Sequence, residues 1–103
     1  MDIEDLGHFS NPSLLILASL AGGEKHGYAM MEDIQAMTGV RLGAGSLYGA
    51  ITRLERGGLI EPMPADDRRR PYRLTAAGAA LLHRTLSDLE KFAGQGLKRL
   101  AAV

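Results

Sequence analysis

Apolar positions along the chain fall into blocks that recur mostly at helical spacing. Asn11-Pro12 opens the first block. Asn11 suits a helix N-cap, and Pro12 suits the first helical position, where no backbone donor is needed. Leu14, Leu15, Leu17, Ala18, Leu20 and Ala21 then make a strongly apolar helix that Gly22-Gly23 stops. A helix this apolar is expected to be buried on most sides. A second helix is predicted from about Gly27 to Thr38, ended by Gly39. Tyr28, Met31, Ile34 and Met37 lie on one face of it at three-residue steps. Met30, Met31 and Met37 are expected to fill the core, as methionine commonly does. Ser46 is an N-cap candidate for a third helix, in which Leu47, Ile51 and Leu54 recur at helical spacing and which Gly57-Gly58 closes. Its exposed face should show Tyr48, Gly49, Thr52, Arg53 and Arg56.

The period then changes. Residues 59–63 read as a short strand, residues 64–71 as a charged loop, and Tyr72-Arg73-Leu74 as a returning strand, so a small β-hairpin is expected. Thr75 is a good N-cap for a last helix, since residues 76–103 hold no proline. Leu82, Leu86, Leu89, Ala93, Gly96, Leu100 and Val103 recur there at alternating steps of four and three. That seam is the kind that pairs with another helix. At 1.5 Å per residue the helix reaches about 40 Å, longer than a small domain is wide. Gly94 and Gly96 each weaken helix propensity by about 1 kcal/mol, so a kink or fraying is expected beyond Ala93.

Three short helices, a hairpin and a long helix make a mainly α fold of the winged helix-turn-helix type, with a long C-terminal dimerisation helix. Residues 1–74 are expected to form the winged helix-turn-helix domain and residues 75–103 the dimerisation helix. In that arrangement the second helix of the helix-turn-helix enters a DNA major groove. Here it is the helix that starts near Ser46.

Composition narrows the function. The chain has 103 residues, 46% hydrophobic and 23% charged, which is one globular domain's worth. It has no cysteine, which removes disulfides, thiolate metal sites and cysteine nucleophiles. Net charge is zero but polarised. Residues 1–40 carry six acids against Lys25 alone, net −5, whereas residues 41–73 carry seven arginines against four acids, net +3. Residues 74–103 are net +2. Arginine's planar fork suits phosphate oxygens and guanine edges. No apolar run approaches the roughly 20 residues of a membrane span. The acidic start, Met1-Asp2-Ile3-Glu4-Asp5, is unlike a signal peptide, so a cytoplasmic location is expected.

Enzyme readings fail on spacing. His8, His26 and His83 have no metal-ligand pattern. Gly43-Ala44-Gly45 lacks the preceding strand and the third glycine of a dinucleotide fingerprint. Neither a catalytic residue nor a cofactor or metal is expected.

Four segments then stand in order: His26-Gly27-Tyr28; Gly45-Ser46-Leu47-Tyr48; Leu54-Glu55-Arg56-Gly57-Gly58-Leu59-Ile60; and Arg68-Arg69-Arg70-Pro71-Tyr72-Arg73-Leu74-Thr75-Ala76-Ala77-Gly78. Together they resemble the PadR family of bacterial transcriptional regulators, in its compact branch with a single long C-terminal helix. The resemblance implies a homodimer that binds a near-palindromic operator in double-stranded DNA as a repressor. A small-molecule effector that releases DNA fits the reading, though no residue demands one. Two departures stand out: Gly49 replaces a common proline after Leu47-Tyr48, and Asp66-Asp67 occupies an often glycine-rich hairpin tip.

The DNA-contact candidates are Tyr28, Gly45, Ser46, Tyr48, Gly49, Arg53, Arg68, Arg69 and Arg70. Each has a plainer reading beside it. Tyr48 could pack against the second helix, Ser46 could merely cap its own, His26 could cap and Gly27 be structural, and the arginines could be solvated. Leu82, Leu86, Leu89, Ala93 and Leu100 are the dimer-interface candidates. The alternative function is a protein-interaction module that docks a partner through the last helix and does not read DNA.

Overall fold

The computed structural model describes residues 11–65 and 69–103. Arg68, with Asp66 and Asp67, and the N-terminal segment containing His8 and Phe9 lie outside the described residues. The element order is α1 (Pro12–Ala21), β1 (Lys25–His26), α2 (Gly27–Thr38), α3 (Ala44–Arg56), β2 (Ile60–Pro62), β3 (Pro71–Leu74) and α4 (Ala76–Ala101). The fold is mainly helical with a small antiparallel sheet, a winged helix-turn-helix with a long last helix.

Helix α1 starts where a local cap allows it. The Asn11 side chain accepts hydrogen bonds from the Ser13 and Leu14 N–H groups at 3.1 and 3.4 Å. Leu15, Ile16, Leu17 and Leu20 are all buried, and α1 lies at the centre of the molecule, against α2, α3, α4 and β3. The rest of the core is Met30 and Ile34 of α2, Leu42 in the turn, Leu47, Ala50, Ile51 and Leu54 of α3, Ile60 of β2 and Leu82 of α4.

The turn between α2 and α3 carries the helix-turn-helix geometry. Gly39 ends α2 with φ 77°, a left-handed conformation that only glycine adopts without strain, and its N–H donates to the Gln35 carbonyl at 2.8 Å. Leu42 then pins the turn to the core.

A second tie is polar. The buried Ser19 hydroxyl donates to Asp33 Oδ2 at 2.6 Å. Lys25 Nζ donates to the carbonyls of Ser19 and Gly23 at 2.6 and 3.2 Å and lies 3.9 Å from the same carboxylate oxygen. One cluster thus holds α1, the turn after it and α2 together.

Five expectations need correction. The sheet has three strands in the order β1-β3-β2, not a two-stranded hairpin. Lys25 pairs with Tyr72 and His26 with Pro71; a two-residue strand is too short to show any period in sequence. The buried stripe of α2 is Gly27, Met30 and Ile34. Tyr28 and Met37 are instead 57% and 50% exposed; Tyr28 turns toward the wing, and Met37 borders a surface groove beside Leu14, Leu15 and Ala18 of α1. Among the three methionines, Met30 alone is wholly buried, with Met31 partly so. Helix α3 begins two residues before Ser46, with Gly43 at the N-cap and no side-chain cap. Finally, α4 runs unbroken through Gly94 and Gly96 to Ala101. The Leu-Lys-Arg-Leu-Ala run that follows consists of strong helix formers, and its basic pair suits the helix C-terminus.

Where the wing meets α4, the chain is knotted by Thr75. Its N–H donates to the Leu59 carbonyl at 3.1 Å and its hydroxyl to the Gly58 carbonyl at 2.6 Å. The same hydroxyl accepts from the Gly78 N–H at 3.0 Å, capping α4. From this anchor the 26-residue helix projects, giving the molecule a long dimension of 56 Å against 29 and 20 Å.

Candidate nucleic-acid interface

Helix α3 is sharply two-sided. Leu47, Ala50, Ile51 and Leu54 face the core, while Tyr48, Thr52, Arg53 and Arg56 face outward. Gly45 and Ser46 are exposed in its first turn. Gly43 offers no capping side chain, so the first N–H groups of α3 are open to an acceptor from outside. Arg53 lies back along the helix. A Cβ at Gly49 would sit 3.6 Å from its Nη1, so the small residue in place of proline leaves room for a guanidinium over that turn.

Beside Tyr48 lies an open basin of about 300 Å³. Three elements supply its walls: His26, Gly27 and Tyr28 from the start of α2, Tyr48 from α3, and Arg69, Arg70 and Tyr72 from the wing. Strand β1 is what brings them together, because its pairing with β3 sets His26 against Pro71. The His26 side chain caps α2: Nδ1 accepts from the Ala29 N–H at 3.3 Å. Tyr48 is 51% exposed, and its hydroxyl makes no hydrogen bond among the described residues. Tyr72 sits deeper. Burial pushes its hydroxyl pKa up and the nearby Glu55 carboxylate adds to this, against the opposing pull of the Arg70 guanidinium; Tyr48 raises it slightly further.

The basin therefore presents tyrosine hydroxyls, an imidazole and two guanidinium groups, and these are donors suited to phosphate oxygens. Among the described residues the ion pairs are Lys25–Asp33 and Arg73–Glu61, the latter at 2.5 Å on the exposed side of the sheet. Arg73 is thereby engaged away from the basin, whereas Arg69 and Arg70 face it.

Tyr28, Tyr48, Arg69 and Arg70 are thus brought into one site, with Gly45, Ser46, Gly49 and Arg53 on the adjoining face of α3. Arg68 lies outside the described residues. Tyr72 was not anticipated as a site residue. Its alternation with the outward Arg73 on β3 was the available signal. Among the described residues, no group of three or more His, Asp or Glu could hold a metal ion, and no helix is long and apolar enough to cross a membrane.

Helix α4 carries several exposed apolar side chains. Leu82 lies in the chain's own core at 5% exposure, which leaves little for a partner. Leu86 is 45% exposed, and with Leu89 it lines a wholly apolar groove of about 190 Å³ together with Leu14, Leu15, Ala18 and Met37. Beyond it Ala93 is exposed and Leu100 is 71% exposed, beside Phe92 at 77% and Leu97 at 69%, which the heptad reading had left out.

Comparisons with known proteins agree with this geometry. The chain is 38% identical over 87 residues to the transcriptional regulator Rv3488 of Mycobacterium tuberculosis, covering 82% of this chain and 80% of that one. It is 42% identical over 86 residues to an uncharacterised 37.1 kDa protein in transposon TN4556 of Streptomyces fradiae; the match covers 84% of this chain but spans 25% of the length of that relative. A solved transcriptional regulator from Clostridium thermocellum superposes with a TM-score of 0.73 at 27% identity, over 84% of this chain and 89% of that one. The model of the transcriptional regulator PadR-like family matches residues 16–84. That span takes in α2, α3, the wing and the first turns of α4, and it places the chain in the PadR-like family of transcriptional regulators, whose members are not enzymes.

Proposed function

We propose that this regulator acts as a homodimeric repressor that binds a near-palindromic operator in double-stranded DNA. The observation that carries the reading is the continuity of the open first turn of α3 with the basin of Tyr28, Tyr48, Arg69 and Arg70. In this reading the outward face of α3 enters a major groove and reads base edges. The basin takes the flanking phosphates, which fix register and carry most of the salt dependence.

Two copies are needed for a near-palindromic site, because the operator's symmetry mirrors that of the protein. The exposed Leu86, Ala93 and Leu100 of α4 and the half-buried Leu89 support pairing with a second copy, with Phe92 and Leu97 alongside. Such pairing would set the two α3 helices about 34 Å apart, one turn of DNA. Bound over a promoter, the dimer would exclude polymerase. An effector would act by favouring one α4 arrangement over another. The groove beside Leu86, at about 190 Å³, falls below the roughly 300 Å³ of ordinary ligand pockets, so it would need the second copy to complete it.

The test is fluorescence anisotropy with DNA from upstream of the protein's own coding region, against scrambled DNA and across a salt series. Sequence-selective binding with a steep salt slope is expected. Tyr48→Phe and a paired Arg69→Ala/Arg70→Ala variant should weaken it, the second with a shallower salt slope. Genome-wide selection of bound fragments that returns no enriched sequence would overturn the reading in favour of a protein-docking module working through Leu86, Leu89 and Phe92.

A further inference from the structure

Gly27 is a glycine without a conformational reason. Its φ is not positive, unlike those of Gly23, Gly39 and Gly58. It occupies the first position of α2, where alanine is at least as favourable to a helix. What it does have is a neighbour. A Cβ built there would lie 2.7 Å from the Tyr48 hydroxyl oxygen and 2.9 Å from both Cε1 and Cζ of the same ring. All three of the nearest heavy atoms belong to Tyr48. The ring of this α3 residue therefore lies down across the start of α2, with its hydroxyl end against the bare Cα of Gly27. Its other side stays open to the basin, and the hydroxyl is unspent among the described residues.

We infer that Gly27 is a positioning residue for DNA binding, which acts by leaving the space that holds the Tyr48 hydroxyl at the junction of α2, α3 and the wing. The inference rests on the DNA-binding reading of the basin. It assigns no contact to Gly27 itself; the contact is made by Tyr48. A methyl group at Gly27 expels the ring's far end, which turns about its own side-chain torsions and needs no backbone shift. The displaced hydroxyl then misses a phosphate oxygen, because a hydrogen bond tolerates only a few tenths of an ångström. Function is lost while the fold remains. Gly78 shows the contrast, since a Cβ there meets backbone atoms of Leu59 that cannot turn aside.

The experiment is a double-mutant cycle on the full chain, read by anisotropy with the DNA fragment the unmodified protein selects and by thermal melting. Gly27→Ala and Tyr48→Phe should each lower affinity about ten- to a hundredfold, the range for one hydrogen bond to a charged group. The double variant should be no weaker than either single one, because both remove the same contact. The melting temperature of Gly27→Ala should stay near that of the unmodified protein. In a Tyr48→Ala background Gly27→Ala should be neutral or stabilising in melts and without further effect on DNA binding. A Gly27→Ala variant that binds as tightly as the parent overturns the inference, and so do losses that multiply in the double variant. A Gly27→Ala variant that melts far lower in both backgrounds would show a purely structural glycine and overturn it too. If the unmodified protein selects no DNA, the reading of the basin fails first, and the inference with it. A nuclear Overhauser contact between the Gly27 α-protons and the Tyr48 ring then still reports whether the packing itself holds.

Discussion

Replacing Gly78 by alanine is the sharpest stability test that this fold offers. Gly78 is buried in the first turn of α4, and a Cβ there would fall 1.9 Å from the Leu59 carbonyl oxygen, 2.9 Å from its carbon and 3.3 Å from its Cα. Restoring the ordinary contact distance of 3.4 Å requires a separation of about 1.5 Å between two stretches of backbone. That shift exceeds what the Thr75 knot can absorb. The bonds from Thr75 to the carbonyls of Leu59 and Gly58, at 3.1 and 2.6 Å, would stretch beyond bonding range. Two hydrogen bonds are worth about 1 kcal/mol each, and overpacking strain adds about 1–3 kcal/mol. Against this, alanine returns up to about 1 kcal/mol of helix propensity. The net loss is about 2–4 kcal/mol. For a domain near 100 residues each kcal/mol moves the melting temperature by roughly 4–8 °C, so a fall of about 8–32 °C is expected. Circular dichroism melts at fixed protomer concentration measure it. Gly94→Ala is the control. It has nothing within 4 Å and should leave the melting temperature unchanged or raise it. A Gly78→Ala protein that melts within about 3 °C of the parent would refute the reasoning, since no contact of that kind could then exist.

Three further outcomes are expected. Leu82→Ala should destabilise the folded chain by about 2–5 kcal/mol in urea titrations, as for any large buried aliphatic, whereas Leu100→Asp should leave the fold intact and shift sedimentation toward the monomer. Ser19→Ala should cost about 1 kcal/mol, because it removes the donor to Asp33 while that half-exposed carboxylate can still be hydrated. Tyr72 has its pKa raised in the folded state, chiefly by burial and then by Glu55, so its contribution to stability is complete below about pH 10 and falls as pH rises through the folded value. Urea midpoints followed from pH 8 to 11 should decline less steeply above about pH 10 in Tyr72→Phe.

The elements legible in the sequence were those fixed by local chemistry. Asn11 and Thr75 cap the helices that follow them because a short polar side chain reaches its own first turn, and such caps need no tertiary context. The two faces of α3 were equally plain, since one buried stripe and one arginine face share a single helix. The second helix was misread because two stripes that share Ile34 were available, one at three-residue steps and one at steps of three and four. Only the position of α1 decides that Met30 and Ile34 go inward and that Tyr28 turns toward the wing. Strand β1 was invisible for a related reason: Lys25 and His26 become a strand only because Tyr72 and Pro71 pass beside them. The basin inherits both gaps. Its separate residues Tyr28, Tyr48, Arg69 and Arg70 could be named in advance, but their meeting depends on that two-residue pairing, as does the place of Tyr72 among them.

This division has a mechanical consequence. The three parts of the basin are joined to one another by contacts near the surface, namely β1 against β3 and the Tyr48 ring against Gly27. The apolar seam is joined to the same body through α1, which packs against both α3 and α4. A change in the angle of α4 therefore reaches α3 through a rigid apolar helix. It reaches the wing through the Thr75 knot, where the hydroxyl spans Gly58 and Gly78. Neither route has slack, because buried side chains are close-packed and the Thr75 hydroxyl is held at once by Gly58 and Gly78. In the proposed dimer, the spacing of the two α3 faces would thus follow the crossing of two α4 helices. Leu86, Phe92 and Leu100 lie far from the basin, yet substitutions there that preserve dimerisation but alter the crossing should change which operator spacing is bound.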